Sequence, residues 1–227
     1  MRTLTVYPKG LNGNRGFTTR MPGFKALILG FDDTFLDLRE GYAELFSTVF
    51  RQFDIPFHAE EVLEYADTPL DTLFSQRYKG CTCRFRDFMT MTMGEYERRM
   101  FDAARLQQDA AVLKELRNQG CSLGTFSISF EEHMRRILSK LEVESLFSSV
   151  VGAERTFVPR PDPFVLNTCL REMNADKETT LVVTTSERDL ETARNAKLRC
   201  ALLDRSGRFE ETGFGYRVSS LEDLRSL

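Results

Sequence analysis

Three observations predict an α/β fold with a doubly wound, mostly parallel sheet. An apolar run, Ala26-Leu27-Ile28-Leu29, stops at Gly30 and gives way to the polar cluster Asp32-Asp33-Thr34. That reads as a buried strand ending at a functional edge, because open α/β sheets bind ligands just beyond the carboxyl ends of their strands. The stretch from Asp37 to Leu106 shows helical spacing and no convincing strand. From Asp109 onward, short apolar runs alternate with amphipathic segments, the pattern of a parallel sheet with crossover helices. The chain has 227 residues, 41% hydrophobic and 29% charged, enough to bury such a core. The expected organisation is a basic extended arm over residues 1–23, a core made of 24–37 and 107–227, and a helical insertion over 38–106.

Each element follows from local pattern. In the arm, Pro8, Gly10, Gly13, Gly16 and Pro22 interrupt any regular structure. Tyr42, Leu45, Phe46, Val49, Phe50 and Phe53 form one apolar face of a helix over Glu40–Phe53, which Pro56 ends. Ala59–Tyr65, Pro69–Tyr78 and Phe85–Leu106 read as further helices, with Met89, Met91 and Met93 as adaptable core filler. Asp109 suits the N-cap of a helix over Ala110–Gln119, and Gly120 its C-cap. Strands are expected at Cys121–Phe126, Ser149–Gly152, Thr180–Thr184 and Cys200–Leu203. The intervening helices are Phe130–Leu141, Pro163–Met173 and Leu190–Lys197, and Tyr216–Val218 with a short helix over Leu221–Leu227 closes the chain.

Four segments carry chemistry. Leu29-Gly30-Phe31-Asp32-Asp33-Thr34 ends the first strand, and Thr125-Phe126-Ser127 ends the second. Val158-Pro159-Arg160-Pro161-Asp162-Pro163 precedes a helix. Val183-Thr184-Thr185-Ser186-Glu187-Arg188-Asp189 follows a third strand. In this order they resemble the motifs of the haloacid-dehalogenase-like (HAD) phosphatases, over about Lys25 to the C-terminus. The resemblance implies a HAD-like core with a helical cap. It implies a nucleophilic, magnesium-binding Asp at position 30 and an acid/base Asp at 32. It further implies a Thr at 34, a phosphate-binding hydroxyl at 127, a Lys at 158, and magnesium-binding carboxylates at 185 and 189.

Several of these positions depart from the motif. Asp32, Thr34, Ser127 and Asp189 remain, but Gly30, Val158 and Thr185 stand where the nucleophile, the Lys and a metal ligand belong. Asp33 replaces the motif Gly, and Arg188 beside Asp189 would oppose a cation if it faced the site. Ser127 also reads as a helix N-cap, and Asp189 as charge compensation at a helix N-terminus. Arg160 would be a cationic substitute for the Lys, but two prolines constrain its backbone and an arginine fork does not simply replace a lysine's point charge. A slipped register would make Asp32 the nucleophile, yet it would put Leu36 at the motif Thr and leave 158 and 185 unchanged.

The reading these departures favour is a catalytically inactive HAD-like protein, a structural or interaction subunit of a larger assembly, mitochondrial or otherwise cytoplasmic. No cofactor is expected, with the family's magnesium site lost. The alternatives are a weakly active or non-standard HAD-type phosphatase or hydrolase using Asp32, and a phosphate-ligand binding module resting on Ser127. Between Met1 and Phe31 there are five basic residues and no acid, although the chain as a whole has net charge -3. That arm is expected to contact protein partners or RNA, and its composition resembles an organelle transit sequence. No apolar run approaches the ~20 residues needed to cross a bilayer. The five cysteines, without a secretory signal, read as free thiols. Cys81-Thr82-Cys83 lacks the second pair or His that would make it a metal site.

Overall fold

The computed structural model describes residues 23–77, 84–156, 158–207 and 215–226. The expectations for the basic arm and for Cys81 and Cys83 therefore lie outside the described residues. The chain divides into two compact units, one from the described part of Met1–Leu36 with Leu106–Leu227, the other Asp37–Arg105.

The first unit is a six-stranded sheet. Its strands are β1 (Ala26–Gly30), β4 (Ser122–Phe126), β5 (Phe147–Val151), β6 (Thr180–Thr184), β7 (Arg199–Leu203) and β8 (Tyr216–Val218). β2 (Leu36–Asp37) and β3 (Arg105–Leu106) are short segments where the chain leaves and re-enters this unit. The sheet order is β5-β4-β1-β6-β7-β8, with every neighbouring pair parallel. All five residues of β1 are buried. That explains its unbroken apolar run, since a central parallel strand is covered on both faces and cannot alternate.

The helices of this unit are α5 (Val112–Asn118), α6 (Glu131–Lys140), α7 (Phe164–Met173) and α8 (Glu187–Asn195). Ala26 and Ile28 of β1 share a core cluster with Val165, Leu166 and Cys169 of α7 and with Leu190 and Ala193 of α8. Leu27 and Leu29, pointing to the opposite face, are equally buried. The chain leaves β1 for β4 on one side and returns later to β6 on the other. This reversal makes the carboxyl end of β1 a topological switch point, where such sheets open a crevice.

The second unit is helical, with α1 (Arg39–Gln52), α2 (Val62–Asp67), α3 (Leu70–Arg77) and α4 (Phe85–Ala103). Its core is aromatic. Phe46 and Phe50 of α1 pack on Tyr65 with ring centroids 5.5 and 5.1 Å apart. The Tyr65 hydroxyl donates to Glu61 at 2.7 Å, and burial first, then this carboxylate, pushes its pKa up to about 12.

Several local expectations need correction. Asp109 does not cap α5, which starts later, after a 3-10 turn over Gln108–Ala111. Helix α4 stops at Ala103, so its predicted extension to Leu106 is extended chain instead. Met89 and Met93 are exposed, because the buried stripe of α4 is Phe88, Thr92, Met100 and Ala103. Gly120 adopts φ +93, the left-handed conformation expected of a residue just past a helix end.

Candidate active site

The four sequence segments converge at the carboxyl edge of the sheet. β1 and β4 are paired to their last residues, Gly30 opposite Phe126, so the segments that follow them emerge side by side. The Phe31 N–H donates to the Phe126 carbonyl at 3.0 Å and extends that pairing by one residue. Just beyond it, the Ser127 hydroxyl donates to Oδ2 of Asp32 at 2.8 Å. The same hydroxyl oxygen accepts the Ser129 N–H at 3.1 Å. Ser127 is therefore not a helix cap: the residue before α6 is Phe130, and no side chain caps that helix.

The third and fourth segments meet in the same way. The guanidinium of Arg160 forms an ion pair with Oδ1 of Asp189, and it lies 5.9 Å from the centre of the Phe126 ring. Oδ2 of Asp189 accepts the Thr184 hydroxyl at 2.9 Å, and that hydroxyl accepts the Ser186 N–H at 3.1 Å. Asp189 is only 4% exposed. Its place in the first turn of α8 does favour a negative charge, but a buried carboxylate needs the close partners it has here. Arg188 is exposed, whereas Asp189 beside it is buried.

The remaining motif positions are not equivalent. Thr34 is fully buried beside Gly30, with its hydroxyl 3.4 Å from the Asp32 carbonyl. Val158 is 45% exposed and faces solvent, so the cation of this segment is Arg160, two residues further on. Thr185 is partly exposed at the end of β6. A side chain on Gly30 would be crowded: its Cβ would lie 3.0 Å from Oγ1 of Thr34, 3.1 Å from Oγ1 of Thr184 and 3.4 Å from Oδ2 of Asp189. Three oxygens thus close around the position where the resemblance places a nucleophile.

Magnesium favours octahedral oxygen coordination built on one or two carboxylates. The donor set here does not fit that ion. Position 30 offers no ligand, position 185 is a hydroxyl, and Asp189 already holds a guanidinium. Among the described residues, no group of three or more His, Cys, Asp or Glu side chains is gathered in a way that could hold a metal.

Two further residues shape the site and were not recognised in the sequence as doing so. Arg205 donates to the carbonyls of Asp33 at 3.0 Å and Thr34 at 2.7 Å, pinning the loop that carries Asp32. Asp109 grips the same guanidinium at 2.8 and 3.1 Å, and it also accepts the Leu221 N–H at 2.9 Å and the Ser220 hydroxyl at 3.1 Å. Burial pushes the Asp109 pKa up, but the Arg205 and Leu221 hydrogen bonds outweigh it and hold the carboxyl below its ordinary value. The signal in the sequence was an Arg just past the apolar run Cys200–Leu203, 96 residues from Asp109.

The family profile described as haloacid dehalogenase-like hydrolase matches residues 27–203, from β1 to the end of β7 and through all four motif segments. The chain belongs to the haloacid dehalogenase-like hydrolases. Within that family it is similar to a pyrophosphatase, PpaX, of Oceanobacillus iheyensis, 22% identical over 179 residues that span 78% of this chain and 82% of that one. The PpaX pyrophosphatase of Listeria monocytogenes is 23% identical over 175 residues, 75% of this chain and 79% of that one. Among solved structures, one from Bacteroides fragilis, provisionally described as a haloacid dehalogenase-like hydrolase, superposes with a TM-score of 0.77. It is 22% identical and covers 88% of this chain and 99% of that one. CbbY from Rhodobacter sphaeroides, solved in complex with phosphate, gives 0.71 at 16% identity, covering 88% and 96%.

These findings correct the functional expectation. An inactive structural or interaction subunit was the reading favoured by Gly30, Val158 and Thr185. Relatives aligned over three quarters of this haloacid dehalogenase-like chain are named as pyrophosphatases. The non-enzyme, pseudoenzyme, structural-subunit and mitochondrial readings give way to the enzymatic alternative. The error lay in treating three missing motif groups as the loss of the site, when Asp32, Ser127, Arg160 and Asp189 still assemble there.

Proposed function

We propose that this haloacid dehalogenase-like chain is a hydrolase of phosphate esters or phosphoanhydrides with non-standard chemistry, in which Asp32 is the catalytic acid/base. The observation that carries the reading is the 2.8 Å hydrogen bond between Ser127 and Asp32 at the carboxyl edge of β1 and β4. Asp32 is only partly buried, so water and substrate can reach it. The pyrophosphatase names of the relatives support the substrate class.

Gly30 has no side chain to form a phosphoenzyme, so the attacking group is water. Asp32 takes a proton from that water as its oxygen bonds to phosphorus. The bond from phosphorus to the leaving oxygen breaks, and Asp32 passes the proton it took from water to that oxygen. Ser127 turns Asp32 toward the edge of the sheet. No step uses a divalent ion, in keeping with a donor set that does not suit one. General acid–base catalysis alone supplies roughly 10²–10⁴-fold. The enzyme is accordingly slow on monoesters, whose uncatalysed hydrolysis is among the slowest known. Anhydrides, with a better leaving group, are the better substrates.

The test is phosphate release from a panel of phosphomonoesters, pyrophosphate and nucleoside polyphosphates, using the native chain and Asp32→Asn. Turnover that falls by roughly 10²-fold or more in Asp32→Asn supports the reading. Turnover at background on every substrate, or turnover unaffected by Asp32→Asn, overturns it.

A further inference from the structure

We propose that the guanidinium of Arg160 is the resident cation of this site, and that a phosphoryl group binds against it, at the edge of the sheet beside Ser127, without a divalent metal. This rests on the reading of the site as phosphate-directed and adds how the negative charge of the ligand is met.

The argument starts from Asp189. Both of its oxygens are engaged, one by Arg160 and the other by Thr184, and the residue is buried. A divalent ion placed on this carboxylate would sit against a guanidinium, and like charges at contact distance oppose each other strongly in a desolvated site. Nor could the ion recruit a second carboxylate from position 30, a glycine whose added Cβ would already meet two threonine hydroxyls at 3.0 and 3.1 Å.

The charge that a metal would supply is nonetheless present. The Arg160 side chain is 19% exposed, so it is anchored on Asp189 but retains access to the edge of the sheet. It borders the ring of Phe126, and Ser127 follows immediately. A guanidinium presents five N–H donors in a planar fork, and one carboxylate cannot use them all. The remaining donors suit the oxygens of a phosphoryl group, for which an arginine fork has matched geometry. Asp189 is then a counter-ion that aims the fork, the role a packed carboxylate serves for a cationic ligand-binding group.

Inorganic orthophosphate is the probe, and binding to the full chain is measured by calorimetry and by thermal melting, once with a chelator and once with magnesium. Saturable binding of equal affinity in the two buffers is expected. Arg160→Met alone leaves a buried carboxylate without its partner and is prone to unfold, so the informative variant is the double substitution Arg160→Met with Asp189→Asn. It should lose roughly ten- to a hundredfold in phosphate affinity, the worth of a charge-assisted hydrogen bond. Phosphate binding that requires magnesium, binding unchanged in the double variant, or no binding to the native chain overturns the proposal. Asp32→Asn separates the two readings. Chelator-insensitive phosphate binding without any turnover would overturn the hydrolase and leave the Arg160 site standing. Turnover that falls in Asp32→Asn but is unchanged in the Arg160→Met, Asp189→Asn double variant would do the reverse.

Discussion

Asp32 and Asp189 follow neighbouring strands of one sheet, β1 and β6, yet the fold treats them differently. Asp32 is partly buried and receives the hydroxyl of Ser127. Asp189 is buried, paired with the Arg160 guanidinium, and hydrogen-bonded to Thr184. A carboxylate with access to solvent can exchange a proton with water. One that is buried and paired with a guanidinium is a counter-ion. Two motif aspartates thus retain their residue type while dividing into a reactive group and a structural one.

The largest expected effect separates the two by stability. Removing one partner of a buried ion pair costs ~3–5 kcal/mol, so Arg160→Met should unfold at markedly lower denaturant than the native chain. Ser127→Ala removes only a hydroxyl beside an accessible carboxylate and should cost about 1–2 kcal/mol. Equal losses in urea denaturation would show that the two aspartates are not distinguished in this way.

Gly30 lies between them and tests how tightly the site is closed. A Cβ at 3.0 and 3.1 Å from two threonine hydroxyls forces those side chains to shift. Overpacking of this kind costs about 1–3 kcal/mol, so Gly30→Ala should lower the melting temperature. Gly30→Asp should lower it further, since it adds an anion near Asp189. A neutral Gly30→Ala would mean that the pocket around position 30 is open enough to take a side chain.

The smallest effect concerns a carboxylate away from the motifs. Asp109 has its pKa held below the ordinary 3.8, chiefly by Arg205 against the opposing effect of burial. Its stabilising contribution is therefore fully present above that ordinary value. It is lost as pH falls through the lowered, folded-state value. Asp109→Asn should be less stable than the native chain at neutral pH, with the gap closing only in strong acid. Urea titrations at several pH values measure it, and a gap that widens toward acid would contradict the assignment. Because Asp109 steadies Arg205 and through it the Asp33 and Thr34 carbonyls, the same variant should loosen the Asp32 loop without touching Asp189.

Much of the fold was legible because it rests on local pattern. The run Ala26–Leu29 is apolar since both sheet faces are covered there, and its strand ends one residue later, at Gly30. Thr180–Thr184 and Tyr216–Val218 have the bounds that their sequence suggests. Capping was less legible. Ser127 and Asp109 both have side chains fit to cap a helix, and each bonds instead to a distant partner, Asp32 or Arg205. A polar side chain before a helix carries no mark of which acceptor or donor lies nearest once the sheet is assembled.

The sequence by itself determined the parallel α/β order, the position of the helical insertion and which motif groups are missing at 30, 158 and 185. Those follow from residue identity and from periods of a few residues along the chain. Only the tertiary structure decided what the surviving groups do. Ser127 reaches Asp32 across 95 residues, and Arg160 reaches Asp189 across 29. The order β4-β1-β6 brings those segments to one edge. Whether an aspartate there is a counter-ion or a proton carrier depends on its partners and its access to water. Both are set by packing between segments far apart in sequence.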